Sequence, residues 1–138
     1  LDAVVQEVLR LHLSIPGLTH EAAEDDVIPL LEPVWIKAGE TIDSIVIERG
    51  TILSVPISCI NCSNTIWGMD TKAFKPERWL EPNGITKKAQ EVKGYHHLLT
   101  FGDGPRSCIG KTFALAEIKV CVHYLAVVQC SPSGIGFC

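Results

Sequence analysis

The stretch Phe101-Gly102-Asp103-Gly104-Pro105-Arg106-Ser107-Cys108-Ile109-Gly110 constrains this chain more than any other. It sets one cysteine on a glycine-punctuated loop, with an arginine two residues before it and a helix expected to start at Lys111 and run to about Tyr124. A thiolate near apolar surroundings needs help to stay ionised, and the start of a helix offers unpaired N–H groups and the positive end of a dipole. Gly104 and Gly110 carry no Cβ, so the backbone can turn sharply, aim N–H groups at the sulfur and admit something flat. Arg106 adds a fixed positive charge suited to a carboxylate. The pattern is that of a single thiolate presented to a metal centre.

Haem meets all of these demands at once, with an iron to ligate, a flat face to approach and propionate carboxylates to pair. At these residues the sequence resembles the haem-thiolate monooxygenases, the cytochrome P450 family, whose Cys loop reads Phe-x-x-Gly-x-Arg-x-Cys-x-Gly. Phe101, Gly104, Arg106, Cys108 and Gly110 fill every specified position. The family's upstream Glu-x-x-Arg is matched by Glu7-Val8-Leu9-Arg10, and its Phe-x-Pro-Glu-Arg-aromatic segment by Phe74-Lys75-Pro76-Glu77-Arg78-Trp79. The three motifs stand in family order and cover about residues 1 to 120. Glu24-Asp25-Asp26-Val27-Ile28-Pro29 and Ile66-Trp67-Gly68 look most like fungal members.

The resemblance implies the haem-binding, C-terminal portion of the P450 fold: mainly α with small β-sheets (α+β), and incomplete. Cys108 is then the axial thiolate ligand, with the Ser107 to Gly110 N–H groups bonded to the sulfur, Phe101 shielding it and Arg106 paired with a propionate. Thiolate ligation favours O–O cleavage. His20 is a weaker candidate for a second propionate contact, and Ile15 and Leu18 for contact with substrate. No residue is assigned a catalytic role, because the family's oxygen-activating helix corresponds to sequence before Leu1. The implied function is monooxygenation of a small hydrophobic substrate with electrons from an NADPH-dependent flavin reductase. A non-catalytic haem-binding module and an inert truncated product are the alternatives.

Glu7 and Arg10, three apart on a helix, can touch; by themselves they read as an exposed pair worth about 0.3 kcal/mol. The resemblance implies instead a buried network of Glu7, Arg10 and Arg78, structural in purpose.

With 138 residues, 46% of them hydrophobic, the chain is enough for one core, so a single partial domain over 1–138 is expected, with a divergent tail at 121–138. A net charge of −4 without a basic cluster argues against a nucleic-acid partner. No run approaches the ~20 apolar residues of a membrane span. A start at Leu1 without a leader reads as a piece of something longer. The six cysteines, irregularly spaced at 59, 62, 108, 121, 130 and 138, suit a reduced, intracellular setting; the resemblance implies a parent anchored to the endoplasmic reticulum through an upstream segment. Cys59-Ile60-Asn61-Cys62 is half of a zinc knuckle without its other half, and reads as two semi-buried thiols.

Periodicity predicts an amphipathic helix over 1–12, with Leu1, Val4, Val5, Val8, Leu9 and Leu11 opposite Asp2, Gln6, Glu7 and Arg10. Strands are expected at Asp26 to Leu31, Val34 to Ile36 and Thr41 to Ile47, separated by Pro33 and by Ala38-Gly39. The run from Ser44 to Val55, with Glu48-Arg49-Gly50 at its centre, reads as a β-hairpin. One or two helical turns are expected in 58–66, then an irregular meander from Trp67 to about Thr100. Phe113, Ala114, Leu115, Ile118, Val122 and Leu125 should cover a broad apolar face of the last helix.

Overall fold

The computed structural model describes residues 1–37 and 39–129. Ala38 and the tail from residue 130, with Cys130 and Cys138, lie outside the described residues. The content is α+β as expected, in two compact units: Leu1–Pro16 with the chain from Ile57 onward, and Gly17–Pro56.

The Gly17–Pro56 unit holds two antiparallel two-stranded sheets. Strand β1 (Leu18–Glu21) pairs with β4 (Ile52–Val55), and β2 (Asp26–Trp35) pairs with β3 (Thr41–Ile47). The two expected runs before Ile36 are therefore one strand, with a register irregularity between Pro29 and Val34 that accommodates Pro33. Each strand has a single partner, so a proline can face the unpaired side of β2 without breaking a ladder. The expected hairpin from Ser44 to Val55 does not form. Its turn exists, since Thr51 N–H bonds Glu48 O at 3.0 Å and Gly50 takes φ +83°. The strand leaving it, however, joins β1: Ala22 N–H bonds Thr51 O at 3.0 Å, and Gly50 N–H bonds Ala22 O at 2.8 Å. Local alternation marks strands but does not choose their partners.

The other unit begins with α1 (Asp2–Leu11). Its burial takes in the polar side as well as the apolar one. Gln6, Glu7 and Arg10 are buried together with Val5 and Leu9, whereas Leu1 is 55% exposed. The polar stripe faces inward because its charges find partners there. Next come α2 (Ile57–Asn61) and α3 (Asn64–Trp67), then the meander. That segment is mostly irregular, as expected, but contains a 3₁₀ turn at Pro76–Trp79 and a short helix α4 (Lys87–Glu91), whose start Thr86 Oγ1 caps by accepting from Ala89 N–H at 3.1 Å. Val5, Leu9, Trp67, Ala89 and Leu98 form the core, flanked by Ile66, Trp79, Ile85, Tyr95, Phe101, Leu115 and Ile118.

The last helix, α5, runs Lys111–Gln129, five residues past its expected end. Leu115 and Ile118 pack on the core and Val122 is half-buried, but Phe113 is 74% and Leu125 58% exposed. The inward stripe is thus narrower than predicted. Phe113 stands two residues, about 200° of helical turn, from Leu115 and so points away from it. Asp2 in the first turn of α1 meets Lys119 of α5 at 2.7 Å.

Backbone closure of the meander depends on Gly94. Its φ is +123°, and a Cβ there would lie 2.5 Å from the Leu98 carbonyl oxygen. Gly94→Ala is expected to destabilise the chain by about 1–3 kcal/mol, measured by urea unfolding. An unchanged midpoint would show that this turn can open at no cost.

Candidate functional site

The Cys loop is built between the core and α5. Phe101 is half-buried, with its ring 5.8 Å from Tyr95 in an edge-on arrangement. From it the chain turns through Gly102 (φ +69°) and Gly104 (φ +73°), then makes a 3₁₀ turn at Gly104–Arg106. The turn thus uses Gly102, which the motif leaves unspecified, together with Gly104. Gly110 has no positive φ, and its importance is proximity, because a Cβ there would sit 3.8 Å from Cys108 Sγ. At Gly104 a Cβ would meet nothing within 4 Å, which leaves that face of the loop open.

Backbone bonds close the loop on itself. Cys108 N–H donates to Phe101 O at 2.8 Å and Ser107 N–H to Gly104 O at 3.1 Å. This corrects the expectation that all N–H groups from Ser107 to Gly110 serve the sulfur, since two of the four hold the loop's shape. Among the described residues, Ile109 and Gly110 N–H have no backbone acceptor. Lys111 N–H bonds Cys108 O at 3.3 Å, joining the loop directly to the start of α5. Cys108 itself is exposed, as are Arg106 and Ile109. Arg106 makes no ion pair among the described residues. The loop therefore presents a sulfur, a guanidinium and a glycine-lined surface to the outside.

Behind the loop lies the charged network. Glu7 and Arg10 are 0% exposed and Arg78 is 2%. Arg10 grips the Glu7 carboxylate with two bonds, Nη2 to Oε1 at 2.8 Å and Nε to Oε2 at 3.0 Å. Arg78 Nε reaches Oε1 at 3.3 Å. The motif residues are thus joined, and further groups that the sequence did not reveal complete the shell. Lys75 N–H donates to Oε1 at 3.1 Å and Trp79 Nε1–H to Oε2 at 3.0 Å. Arg10 Nη1 donates to Asn61 O at 2.9 Å and Thr71 Oγ1 at 3.2 Å, and its guanidinium lies 5.4 Å from the Trp67 ring centre. Arg78 Nη2 also meets Asp70, at 3.3 Å. Trp79 could have been suspected from its place beside Arg78 in the motif; Asn61 and Thr71 had no such signal.

His20 lies exposed on β1 opposite Leu53, in the Gly17–Pro56 unit, where Leu18 is half-buried opposite Val55. Ile15 is 54% exposed. Cys59 is exposed and Cys62 half-buried, which corrects the reading of both as semi-buried.

Burial pushes the Glu7 carboxyl up, but the Arg10 guanidinium, the Lys75 and Trp79 N–H groups and the charge of Arg10 outweigh it and hold the group below its ordinary value. For Asp70 too, burial raises the carboxyl and the Arg78 and Lys75 charges lower it further than that.

The cytochrome P450 family model matches residues 1–125. Among curated relatives, the cytochrome P450 monooxygenases claQ and claP of Ampulloclitocybe clavipes are 54% and 51% identical over 125 residues, 91% of this chain and 23% of each relative. Cytochrome P450 monooxygenase 128 of Postia placenta is 38% identical over 126 residues, again 91% of this chain and 22% of the relative. The chain belongs to the cytochrome P450 family, and it spans about a quarter of the length of these fungal relatives.

Glu7→Gln is expected to cost about 3–5 kcal/mol at pH 7, because it leaves two guanidinium groups buried around a neutral amide. The folded carboxyl titrates below its unfolded value, so its contribution is complete above about pH 4.3 and is lost as pH falls through the folded value. Urea unfolding of wild type and variant should therefore show a gap that is constant near neutrality and shrinks below about pH 4. A gap independent of acid would mean that the ion pairing is not its source.

Proposed function

We propose that this chain supplies the haem-binding Cys loop of a P450 monooxygenase, with Cys108 as the thiolate ligand of the iron. The observation that carries this reading is the exposed sulfur at the start of α5, with Gly110 close enough that a Cβ would touch it. The donor set fits the group. Among the described residues the Ile109 and Gly110 N–H groups, next to the cysteine in sequence, have no backbone acceptor, and they are the groups proposed to bond the sulfur and moderate its charge. Gly104 leaves the loop face open to a flat macrocycle. Arg106 is proposed to pair with a propionate, and Phe101 to keep water from the sulfur side.

Haem, when bound, supplies oxygen activation, and a thiolate ligand favours cleavage of the O–O bond. This chain's residues would hold the group, Cys108 by ligating the iron and Arg106 by pairing with a carboxylate, while the Glu7 network ties the meander to α1. The whole protein is proposed to oxidise a small hydrophobic substrate with electrons from an NADPH-dependent flavin reductase, as its family membership suggests. The free thiols at Cys59, Cys62, Cys108 and Cys121 support a reduced, intracellular setting. Among the described residues no helix is long and apolar enough to cross a membrane.

Titrating the chain with hemin, then reducing it under carbon monoxide, is expected to give the red-shifted Soret band of a thiolate complex, absent in Cys108→Ala. Arg106→Ala should retain the band but weaken haem binding about tenfold, the size of one charge-assisted hydrogen bond. A folded chain that takes up no haem, or binds it with the same spectrum after Cys108→Ala, overturns the assignment. Substrate-dependent NADPH consumption with added reductase then separates a monooxygenase from a haem carrier.

A further inference from the structure

We propose that Cys59 and Cys62 are a redox pair that closes to a disulfide within one helical turn, and that closure loosens the backbone anchor of Arg10. Cys59 lies on α2 and is exposed; Cys62, half-buried, is the first residue beyond its end. The turn joining them is helical, with Cys62 N–H bonded to Ser58 O at 3.1 Å, and it tightens at its end, where Ser63 N–H bonds Ile60 O at 3.3 Å. Residues three apart in a helix have Cα atoms about 5 Å apart, inside the range of about 4.4–6.8 Å that a disulfide spans. Their Cβ atoms stand about 5.5 Å apart, against the roughly 3.8 Å a disulfide prefers. Closing the bridge therefore requires the last turn to contract.

That contraction falls on Asn61, the residue next to Cys62. Asn61 is 0% exposed, its carbonyl accepts from Arg10 Nη1 at 2.9 Å, and its Nδ2 donates to Thr100 Oγ1 at 3.1 Å. Among the described residues its Oδ1 is buried without a partner, so the side chain is held there through Nδ2 alone. Pulling Cys62 toward Cys59 rotates the Asn61 peptide and lengthens the bond to Arg10.

The oxidant is a low-molecular-weight disulfide such as oxidised glutathione. The thiolate of Cys59, the accessible partner, attacks one glutathione sulfur; a mixed disulfide forms and one glutathione thiolate leaves. The Cys62 thiolate then attacks the Cys59 sulfur and expels the second glutathione. Two electrons pass from the protein to glutathione, and the two thiol protons end on the two released glutathione thiols. Because the contraction strains the turn, the bridge is easily reduced by excess thiol.

Trypsin releases both cysteines on one peptide, Gly50–Lys72, which contains no other cysteine. After native incubation with oxidised glutathione and alkylation, this peptide is expected to be two hydrogens lighter than the reduced form and to carry no alkyl group. Cys62→Ser should instead carry glutathione on Cys59. The bridged chain should unfold at a temperature at least about 5 °C lower, the shift for losing one buried hydrogen bond to a charged group, and dithiothreitol should restore it. A wild-type peptide with glutathione on Cys59 and an alkylated Cys62, or a bridged chain with an unchanged unfolding temperature, overturns the proposal.

Discussion

One carboxylate, that of Glu7, accepts five hydrogen bonds while buried at 0% exposure, and the donors come from α1 and from the meander about seventy residues later. An ionised group removed from water is expensive unless its lone pairs are all used, and here they are. The two guanidinium groups spend their remaining donors on the Asn61, Ala73 and Asp70 carbonyls and on Thr71. The network therefore ties α1, the α2–α3 region and the Pro76–Trp79 turn to a single point. It carries no chemistry of its own; it sets where the surrounding backbone can lie.

The apolar core sits directly against this network. Trp67 packs on Trp79 at 5.7 Å between ring centres and lies under Arg10, while its own indole N–H donates to Ile60 O at 3.1 Å. Thr100 links the last part of the meander to α1 through Leu9 O at 2.9 Å, one residue before Phe101 opens the Cys loop. A short series of contacts thus joins the network to the loop: Arg10, Asn61, Thr100, Phe101. A loop with exposed Cys108 and Arg106 keeps its shape through such backing and through its own bonds, Cys108 N–H to Phe101 O foremost.

The legible parts of the sequence were those where chemistry needs particular residue types at fixed separation. The Cys loop motif and the Glu7-x-x-Arg10 and Pro76-Glu77-Arg78 pieces each lie within a few residues, so their spacing survives in one dimension. The participation of Asn61 and Thr71 did not, because a carbonyl and a hydroxyl are available on many residues and only their position in space selects them. The same holds for the sheets: alternation marked Ser44–Ile47 and Thr51–Val55 as extended, but β3 and β4 pair with β2 and β1 instead of with each other. Which edge a strand meets is decided by contacts that run across the chain.

The sequence alone determined the family and the helical or extended character of most segments, since these follow from residue type, local spacing and backbone preference. Tertiary structure decided that Gln6, Glu7 and Arg10 are buried along with the apolar residues of α1, that the Ser107 and Cys108 N–H groups hold the loop's shape, and that the Asn61 carbonyl meets a buried arginine. Burial and hydrogen-bond partnership belong to surroundings, and those exist only once distant segments meet.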